Sequence, residues 1–141
     1  MILLDTSVVS AFMRLEGEPS IIQWLETLEA SDLHVPTLVV LEIQFGIECL
    51  PTGSKRRHLE TQRDYVLSDM LKNRIVDFDR GAALAAAAIY ARFADRHQDK
   101  KIIDFQIAGM GKALNASIAT RNVKDFAALG VKIINPWSAG G

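Results

Sequence analysis

The chain opens with Met1-Ile2-Leu3-Leu4-Asp5-Thr6-Ser7, an apolar run that ends at a carboxylate. A short run of aliphatic residues predicts a buried strand. An aspartate directly after it predicts an acidic group at the carboxyl end of that strand, where open parallel sheets bind their ligands. The opening residues therefore predict an α/β fold with a functional site beside Asp5.

Further short apolar segments alternate with longer segments of helical period, which is typical of a parallel sheet wrapped by helices. We expect a three-layer α/β fold with a central, mainly parallel sheet flanked by helices. It should form a single domain over residues 1–137, followed by a loose tail at 138–141. The predicted strands are Ile2 to Leu4, Leu33 to Val35, Ile75 to Phe78, Ser117 to Ala119 and Lys132 to Ile134.

Capping and turn signals place helices between these strands. Pro19 suits a first helical turn, Thr37 can N-cap a helix that runs to about Leu50, and a polar helix is expected from Lys55 to Leu71. An alanine-rich helix over residues 82–94 should be capped by Asp79, and its small side chains would let a neighbour pack closely. Asp104 should open a helix that ends near Asn115.

Composition limits the classes of protein that need to be considered. With 141 residues, 49% of them hydrophobic and 23% charged, the chain has the make-up of one globular domain. No apolar run approaches the roughly 20 residues of a membrane-spanning helix, and the amino terminus lacks the basic region of a secretory signal. The single Cys49 excludes an intramolecular disulfide. We therefore expect a soluble, cytoplasmic protein with no membrane partner.

The net charge of −1 argues against broad electrostatic attraction to nucleic acid. Local contacts remain open, because the chain carries basic clusters at Lys55-Arg56-Arg57-His58, Arg92-Arg96-His97 and Lys100-Lys101. Taken alone, each cluster is more often just a solvated face.

Three carboxylates interrupt apolar segments: Asp5, Glu42 between Leu41 and Ile43, and Asp104 between Ile103 and Phe105. Burying an ionised carboxylate is costly without a compensating cation or hydrogen-bond donors, and three together would repel one another. A divalent cation relieves both problems. Hard oxygen ligands without a His/Cys cluster favour Mg²⁺ or Mn²⁺, so the pattern predicts a metal site.

Each carboxylate also has a simpler explanation. Asp5 can cap the helix that begins near Thr6, and Asp104 can interact favourably with a helix dipole. For Glu42 the simpler explanation is a surface glutamate, or one paired with a buried arginine. A wheel at about 100° per residue places Glu42 opposite Gln44 and Glu48, so we expect it to point towards the core and Glu48 to be an ordinary surface glutamate.

The turn Thr120-Arg121-Asn122-Val123-Lys124-Asp125 after the fourth predicted strand should supply a fourth contributor to the site. Asn122 and Asp125 both offer oxygen atoms, although either could instead cap a short helix. Arg121 and Lys124 could meet phosphate or remain solvated.

Taken together, these residues resemble the PIN-domain ribonucleases, in particular the VapC toxins of bacterial type II toxin–antitoxin pairs and the related FitB-like proteins. The resemblance extends over residues 1–137. The matching segments are Ile2 to Val9, Leu41-Glu42 with Gly46, Asp104 to Ala108, Thr120-Arg121-Asn122 with Asp125-Phe126, and Asn135-Pro136-Trp137.

The resemblance implies Mg²⁺- or Mn²⁺-dependent hydrolysis of RNA, with Asp5, Glu42 and Asp104 as catalytic residues and metal ligands. Many relatives have an aspartate where this chain has Asn122, so either Asn122 or Asp125 would fill the fourth catalytic position. Thr6, Thr120 and Asn122 would orient water or phosphate, and Arg121 and Lys124 would contact the RNA backbone. The implied partners are a cognate antitoxin that blocks the acidic pocket, promoter DNA bound only through that antitoxin, and a second copy of the chain.

Two other interpretations compete with this one. A phosphatase of the haloacid dehalogenase type also has an aspartate after its first strand, but it usually needs a second acid where this chain has Ser7. A catalytically inactive PIN-fold binding subunit would keep the fold and lose activity through Asn122. Metal-dependent RNA cleavage separates the inactive subunit from the enzyme.

Overall fold

The structure is a computed structural model, and it describes residues 1–93 and 102–138. Five strands form one sheet in the order β3-β2-β1-β4-β5, and all the neighbouring strands run parallel. All five predicted strands are confirmed, although β3 stops two residues early. Their bounds are β1 (Ile2–Leu4), β2 (Leu33–Pro36), β3 (Ile75–Val76), β4 (Ser117–Ala119) and β5 (Lys132–Ile134).

Helices fill the connections between the strands, which confirms the α/β class. Short 3-10 turns occur at Leu15–Gly17 and Ala30–Asp32, and a π-helical segment, Tyr65–Met70, continues one of the α-helices. The α-helices of the described residues are α1 (Thr6–Phe12), α2 (Pro19–Glu26), α3 (Thr37–Glu48), α4 (Ser54–Asp64), α5 (Arg80–Ala91), α6 (Ile102–Leu114) and α7 (Val123–Ala127).

The strand order reverses between β1 and β4. From β1 the chain proceeds to β2 and β3 at one edge, and then crosses to β4 and β5 at the other. Parallel crossovers are right-handed in about 98% of cases, so connections that run in opposite directions cover opposite faces of the sheet. In such sheets the ligand crevice lies at the reversal, outside the carboxyl ends of the strands.

The register brings the ends of β1 and β4 together at this reversal. Leu4 pairs with Ala119, and the Asp5 N–H donates to the Ala119 carbonyl oxygen at 3.0 Å. Asp5 and Thr120 therefore leave the sheet side by side. Beneath them, Leu3, Leu4 and Ile118 are fully buried in the hydrophobic core, as expected for strands covered on both faces.

The predicted helix starts are confirmed at Pro19 and Asp79 and wrong at Thr37. Pro19 begins α2, and the Asp79 side chain caps α5 by accepting a hydrogen bond from the Ala82 N–H at 2.9 Å. The predicted cap at Thr37 is wrong, because α3 begins at Thr37 itself with Pro36 in the N-cap position. The Thr37 hydroxyl instead accepts the Phe78 N–H at 3.3 Å, which ties α3 to the chain after β3.

Other boundaries differ by a few residues. The polar helix changes from α to π geometry after Asp64, and α6 begins at Ile102, so Asp104 lies in its first turn. Ala94, Arg96, His97, Lys100, Lys101 and the tail at 139–141 lie outside the described residues. Within residues 1–93 and 102–138, no helix is both long enough and apolar enough to span a membrane.

The alanine-rich helix α5 packs closely against α6, as its composition predicted. At Gly109 of α6, a Cβ atom would lie 2.6 Å from the Ala86 nitrogen and 2.7 Å from the Ala82 carbonyl oxygen. Both neighbours are backbone atoms, which cannot move aside as a flexible side chain would. The two helices therefore touch backbone to backbone, and this close approach positions the helix that carries Asp104.

We expect Gly109→Ala to lower the free energy of unfolding by about 1–3 kcal/mol, because the added methyl group forces the helices apart. Gly46→Ala is the matched control, since nothing lies within 4 Å of a Cβ at Gly46 in α3. The control should raise stability by about 0.5–1 kcal/mol through helix propensity. Urea unfolding measures both values, and equal effects at the two glycines would contradict the close approach.

Candidate functional site

Asp5 lies between β1 and α1 and is only 4% exposed. It occupies the N-cap position of α1, but its side chain does not cap the helix. Its Oδ2 atom instead accepts hydrogen bonds from the Thr120 hydroxyl at 2.7 Å and from the Ser7 hydroxyl at 3.2 Å. No ion pair with Lys, Arg or His joins Asp5 within the described residues. The capping explanation therefore fails, and a buried carboxylate is left without a cationic partner.

The two hydroxyl groups beside Asp5 also hold the loop after β4. Thr120 is fully buried, and its Oγ1 atom accepts the Asn122 N–H at 3.0 Å while it donates to Asp5. Ser7 Oγ accepts the Arg121 N–H at 3.1 Å. Each hydroxyl thus joins the carboxylate to a backbone donor of the loop, so the position of Asp5 and the course of residues 120–122 are fixed together.

Glu42 is half-buried on α3, and its Oε1 atom accepts a hydrogen bond from the Thr6 hydroxyl at 2.6 Å. Since Thr6 follows Asp5 directly, this bond brings Glu42 to the same edge of the sheet. Glu42 lies at the border of the core, so the prediction that it points towards the core holds only in part. On its stripe of α3, Val39 is fully buried, whereas Phe45 is 67% exposed and Cys49 is exposed.

A groove of about 420 Å³ extends from Glu42 between α1, α3 and α4. Its lining contains apolar, hydroxyl-bearing and charged residues, among them Thr6, Ser10, Arg14, Ile43, Gly46 and Lys55. Glu42 and Gly46, which lie one turn apart on α3, both line this groove.

The remaining predicted acids lie in the first turns of two helices. Asp104 is half-buried in α6, and Asp125 is half-buried in α7. Both make side-chain interactions in the fold. Asn122 occupies the N-cap position of α7, but its exposed side chain does not cap the helix. That either Asn122 or Asp125 fills the fourth catalytic position stays a prediction.

The donor chemistry of the site fits a hard divalent cation. The Asp5 Oδ1 atom accepts no hydrogen bond from the residues that the structure describes, and the donors to Asp5 Oδ2 and to Glu42 Oε1 are neutral hydroxyl groups, so both carboxylates offer oxygen ligands. Mg²⁺ and Mn²⁺ prefer such ligands. In residues 1–93 and 102–138, however, no group of three or more Asp, Glu, His or Cys side chains lies close enough together to hold a metal ion. The ligand set of Asp5, Glu42 and Asp104 therefore stays a prediction.

Glu48 behaves as the surface glutamate that the sequence predicted. It accepts hydrogen bonds from Gln44 Nε2 at 2.7 Å and from Arg56 Nη2 at 3.1 Å. The Gln44 hydrogen bond and the positive charge of Arg56 lower the pKa of its carboxyl group. Glu48 is therefore an ionised, exposed carboxylate on the same helix as Glu42, but away from the Thr6 hydroxyl.

One set of contacts beside the site was missed by sequence reasoning. The Arg121 guanidinium lies 4.4 Å from the centroid of the Trp137 ring, and Trp137 Nε1 donates to Glu18 Oε2 at 2.9 Å. Glu18 also pairs with Arg14 at 3.3 Å. No local pattern could predict a contact between residues 119 positions apart. In the sequence, the Asn135-Pro136-Trp137 motif was the signal that residues after β5 are structured.

We expect Thr120→Val to lower the free energy of unfolding by about 1–3 kcal/mol, because it removes the shorter of the two hydroxyl hydrogen bonds to the buried Asp5 carboxylate and leaves the Asn122 N–H without its partner. Thr52→Val is the control, since Thr52 is exposed and its hydroxyl makes no hydrogen bond to the described residues. Urea unfolding gives both values, and a Thr120 variant as stable as the control would argue against the hydroxyl relay.

Comparisons with known proteins agree with this geometry. A family model described as the PIN domain matches residues 2–132, and this match replaces the haloacid dehalogenase interpretation. The plasmid stability protein StbB of Pseudomonas syringae pv. tomato is 32% identical over 99% of this chain and 100% of its own length. Toxin FitB of Neisseria gonorrhoeae is 29% identical over 97% and 99%. The VapC ribonuclease Y4jK of Sinorhizobium fredii is 28% identical over 97% and 98%.

A similar fold occurs in solved structures of toxin–antitoxin complexes. A chain in the structure of FitAB bound to an IR36 DNA fragment superposes with a TM-score of 0.83 at 29% identity. The superposition covers 97% of this chain and 96% of that one. The whole described core, including the edge of the sheet that carries Asp5 and Thr120, therefore has a close structural counterpart.

Proposed function

The chain belongs to the PIN-domain family, and we propose from this membership and from its acidic site that it is an endoribonuclease toxin. It would hydrolyse phosphodiester bonds in RNA and be held inactive by a cognate antitoxin. The observation that carries the proposal is the buried Asp5 carboxylate, which is hydrogen-bonded by two hydroxyl groups but unpaired with any described cation. Such an environment is costly in a protein without a cationic ligand.

The relatives support the activity by what their names state. Y4jK is named a VapC ribonuclease and FitB a toxin, and each is aligned with this chain over nearly its whole length. The similarity therefore includes every residue of the acidic site rather than one motif. RNA hydrolysis is the reaction that the name of Y4jK states and that the chemistry of this site allows.

Asp5, Glu42 and Asp104 would hold Mg²⁺ or Mn²⁺. When bound, the ion supplies Lewis-acid stabilisation of charge on the attacked phosphate and lowers the pKa of water. The hydroxyls of Thr120 and Ser7 occupy Oδ2 of Asp5 and so leave Oδ1 as a ligand. These hydroxyls act as a supporting layer that fixes the orientation of the carboxylate.

Thr6 orients Glu42 in the same way, through its 2.6 Å hydrogen bond to Oε1. Glu42 is accessible from the groove, so in this proposal it accepts the proton of the attacking water. Asn122 or Asp125, on the loop fixed by Thr120, would complete the site and orient the phosphate. The leaving oxygen of the cleaved bond takes its proton from solvent.

The proposal includes the partners of toxin–antitoxin pairs. A peptide segment of the antitoxin would lie in the groove beside Glu42, whose apolar lining suits a protein ligand better than a phosphate chain. Promoter DNA would be bound only through the antitoxin, and the solved FitAB complex is likewise bound to a DNA fragment. We further propose a homodimer and a cytoplasmic location, where RNA substrates are available.

We expect Asp5→Asn, Glu42→Gln and Asp104→Asn each to reduce RNA cleavage by about 100-fold or more, because each removes a charged ligand or proton acceptor. Cleavage of labelled RNA by the purified protein with Mn²⁺ measures the effect, and chelation with EDTA should abolish the wild-type rate. Glu48→Gln is the matched control on α3 and should cleave at the wild-type rate.

Thermal unfolding without metal is measured on the same proteins. The three site variants should be as stable as the wild type or slightly more stable, because each removes one charge from a like-charged group. A large loss of stability together with lost cleavage would point to a structural role for these acids. A wild-type protein that never cleaves RNA, even with Mn²⁺, would instead identify an inactive binding subunit.

A further inference from the structure

Arg121 is tied to the acidic site through its backbone. Its N–H donates to Ser7 Oγ at 3.1 Å, and Ser7 Oγ donates to Asp5 Oδ2 at 3.2 Å. Only two hydrogen bonds therefore separate the Arg121 backbone from the carboxylate. The side chain itself is exposed, so its charge is available to a ligand that enters from solvent.

The guanidinium group of Arg121 is held in place before any ligand binds. It lies 4.4 Å from the centroid of the Trp137 ring, within the range of a strong cation–π contact. The Arg121 side chain makes no hydrogen bond or ion pair with the described residues, so its N–H donors stay available to a ligand. Those donors match the oxygens of a phosphate group, which they can bind in pairs.

Trp137 is held at several points. Its Nε1 atom donates to Glu18 Oε2 at 2.9 Å, and its backbone N–H donates to Asn135 Oδ1 at 3.0 Å. Glu18 is fixed in turn by its ion pair with Arg14. Because Arg121 covers one face of the half-buried indole, that face cannot stack on a nucleobase. The arrangement favours a role in orienting the arginine.

We propose that Arg121 binds an RNA phosphate next to the scissile bond, and that Trp137 is the positioning residue that holds its guanidinium for this contact. The inference rests on the proposed ribonuclease function. The inference also assigns different roles to Arg121 and to Lys124, the nearby cation in α7. The exposed Lys124 side chain makes no hydrogen bond or ion pair with described residues, so it would lose its full conformational freedom on binding.

RNA binding is measured in the Asp5→Asn protein without metal, by fluorescence anisotropy of a short, labelled, single-stranded RNA of mixed sequence. In this background Arg121→Ala should raise Kd about tenfold and reduce the slope of log Kd against log salt by about 0.7, the loss of one phosphate contact. Arg121→Lys should lose affinity to an intermediate degree, because it keeps the charge but not the planar donors.

Lys112→Ala is the charge-matched control, since Lys112 lies in the last turn of α6, at the opposite end of that helix from Asp104. It should change Kd by less than about twofold. If Lys112→Ala weakened binding as much as Arg121→Ala, the effect would be one of net charge and the specific contact would be overturned.

The role of Trp137 is tested by a double-mutant cycle. Trp137→Leu should raise Kd about threefold in the presence of Arg121 and have no effect in the Arg121→Ala protein, because it acts through the guanidinium. Trp137→Phe keeps a ring face and should retain most of the affinity. Equal losses with and without Arg121 would mean that Trp137 only supports the fold, which would overturn its positioning role.

Failure of this inference can be told apart from failure of the proposed function. Wild-type protein that cleaves RNA, together with an Arg121→Ala variant that binds RNA as tightly as its parent, would overturn the phosphate contact and leave the nuclease intact. RNA binding that depends on Arg121, in a protein that never cleaves, would support the contact and reject the nuclease.

Discussion

A buried carboxylate hydrogen-bonded across the point where the strand order reverses is the constraint on which the rest of this structure depends. Asp5 ends β1, Thr120 ends β4, and their side chains meet at 2.7 Å. At the reversal, β1 leads into a connection towards β2, and β4 leads into a connection towards β5 in the opposite direction. Right-handed crossovers place these two connections on opposite faces of the sheet, which leaves room for a ligand between them.

Among the residues that the structure describes, hydroxyl groups rather than cations satisfy this carboxylate. An arginine beside Asp5 would neutralise its charge permanently, whereas Thr120 and Ser7 stabilise it through neutral hydrogen bonds. Glu42 follows the same principle, with Thr6 as its donor. The site therefore keeps its negative charge available, and the hydroxyl donors set the direction in which each carboxylate presents its remaining oxygen.

Much of the fold could be predicted because its signals are local. Apolar runs give the strands, and Pro19 and Asp79 mark helix starts through the geometry of one turn. The N-cap predicted at Thr37 was wrong, because the Thr37 hydroxyl accepts a hydrogen bond from the N–H of Phe78, which is distant in the sequence. The wheel correctly separated Glu42 from Glu48, but an angle on a helix does not say whether a neighbour covers that face. The contact between Trp137 and Glu18 could not be predicted, since it depends on how the carboxyl terminus folds back.

The partners that complete this centre come from opposite ends of the polypeptide: Thr120 follows Asp5 by 115 residues, and Trp137 follows Glu18 by 119. Closing contacts this far apart is slow, because the chain entropy is lost before the contact is gained. During synthesis on the ribosome, the contacts at Asp5 and Glu18 can form only after residues 120 and 137 have been added. A chain that ends before residue 120 therefore lacks the buried hydroxyl that holds the Asp5 carboxylate.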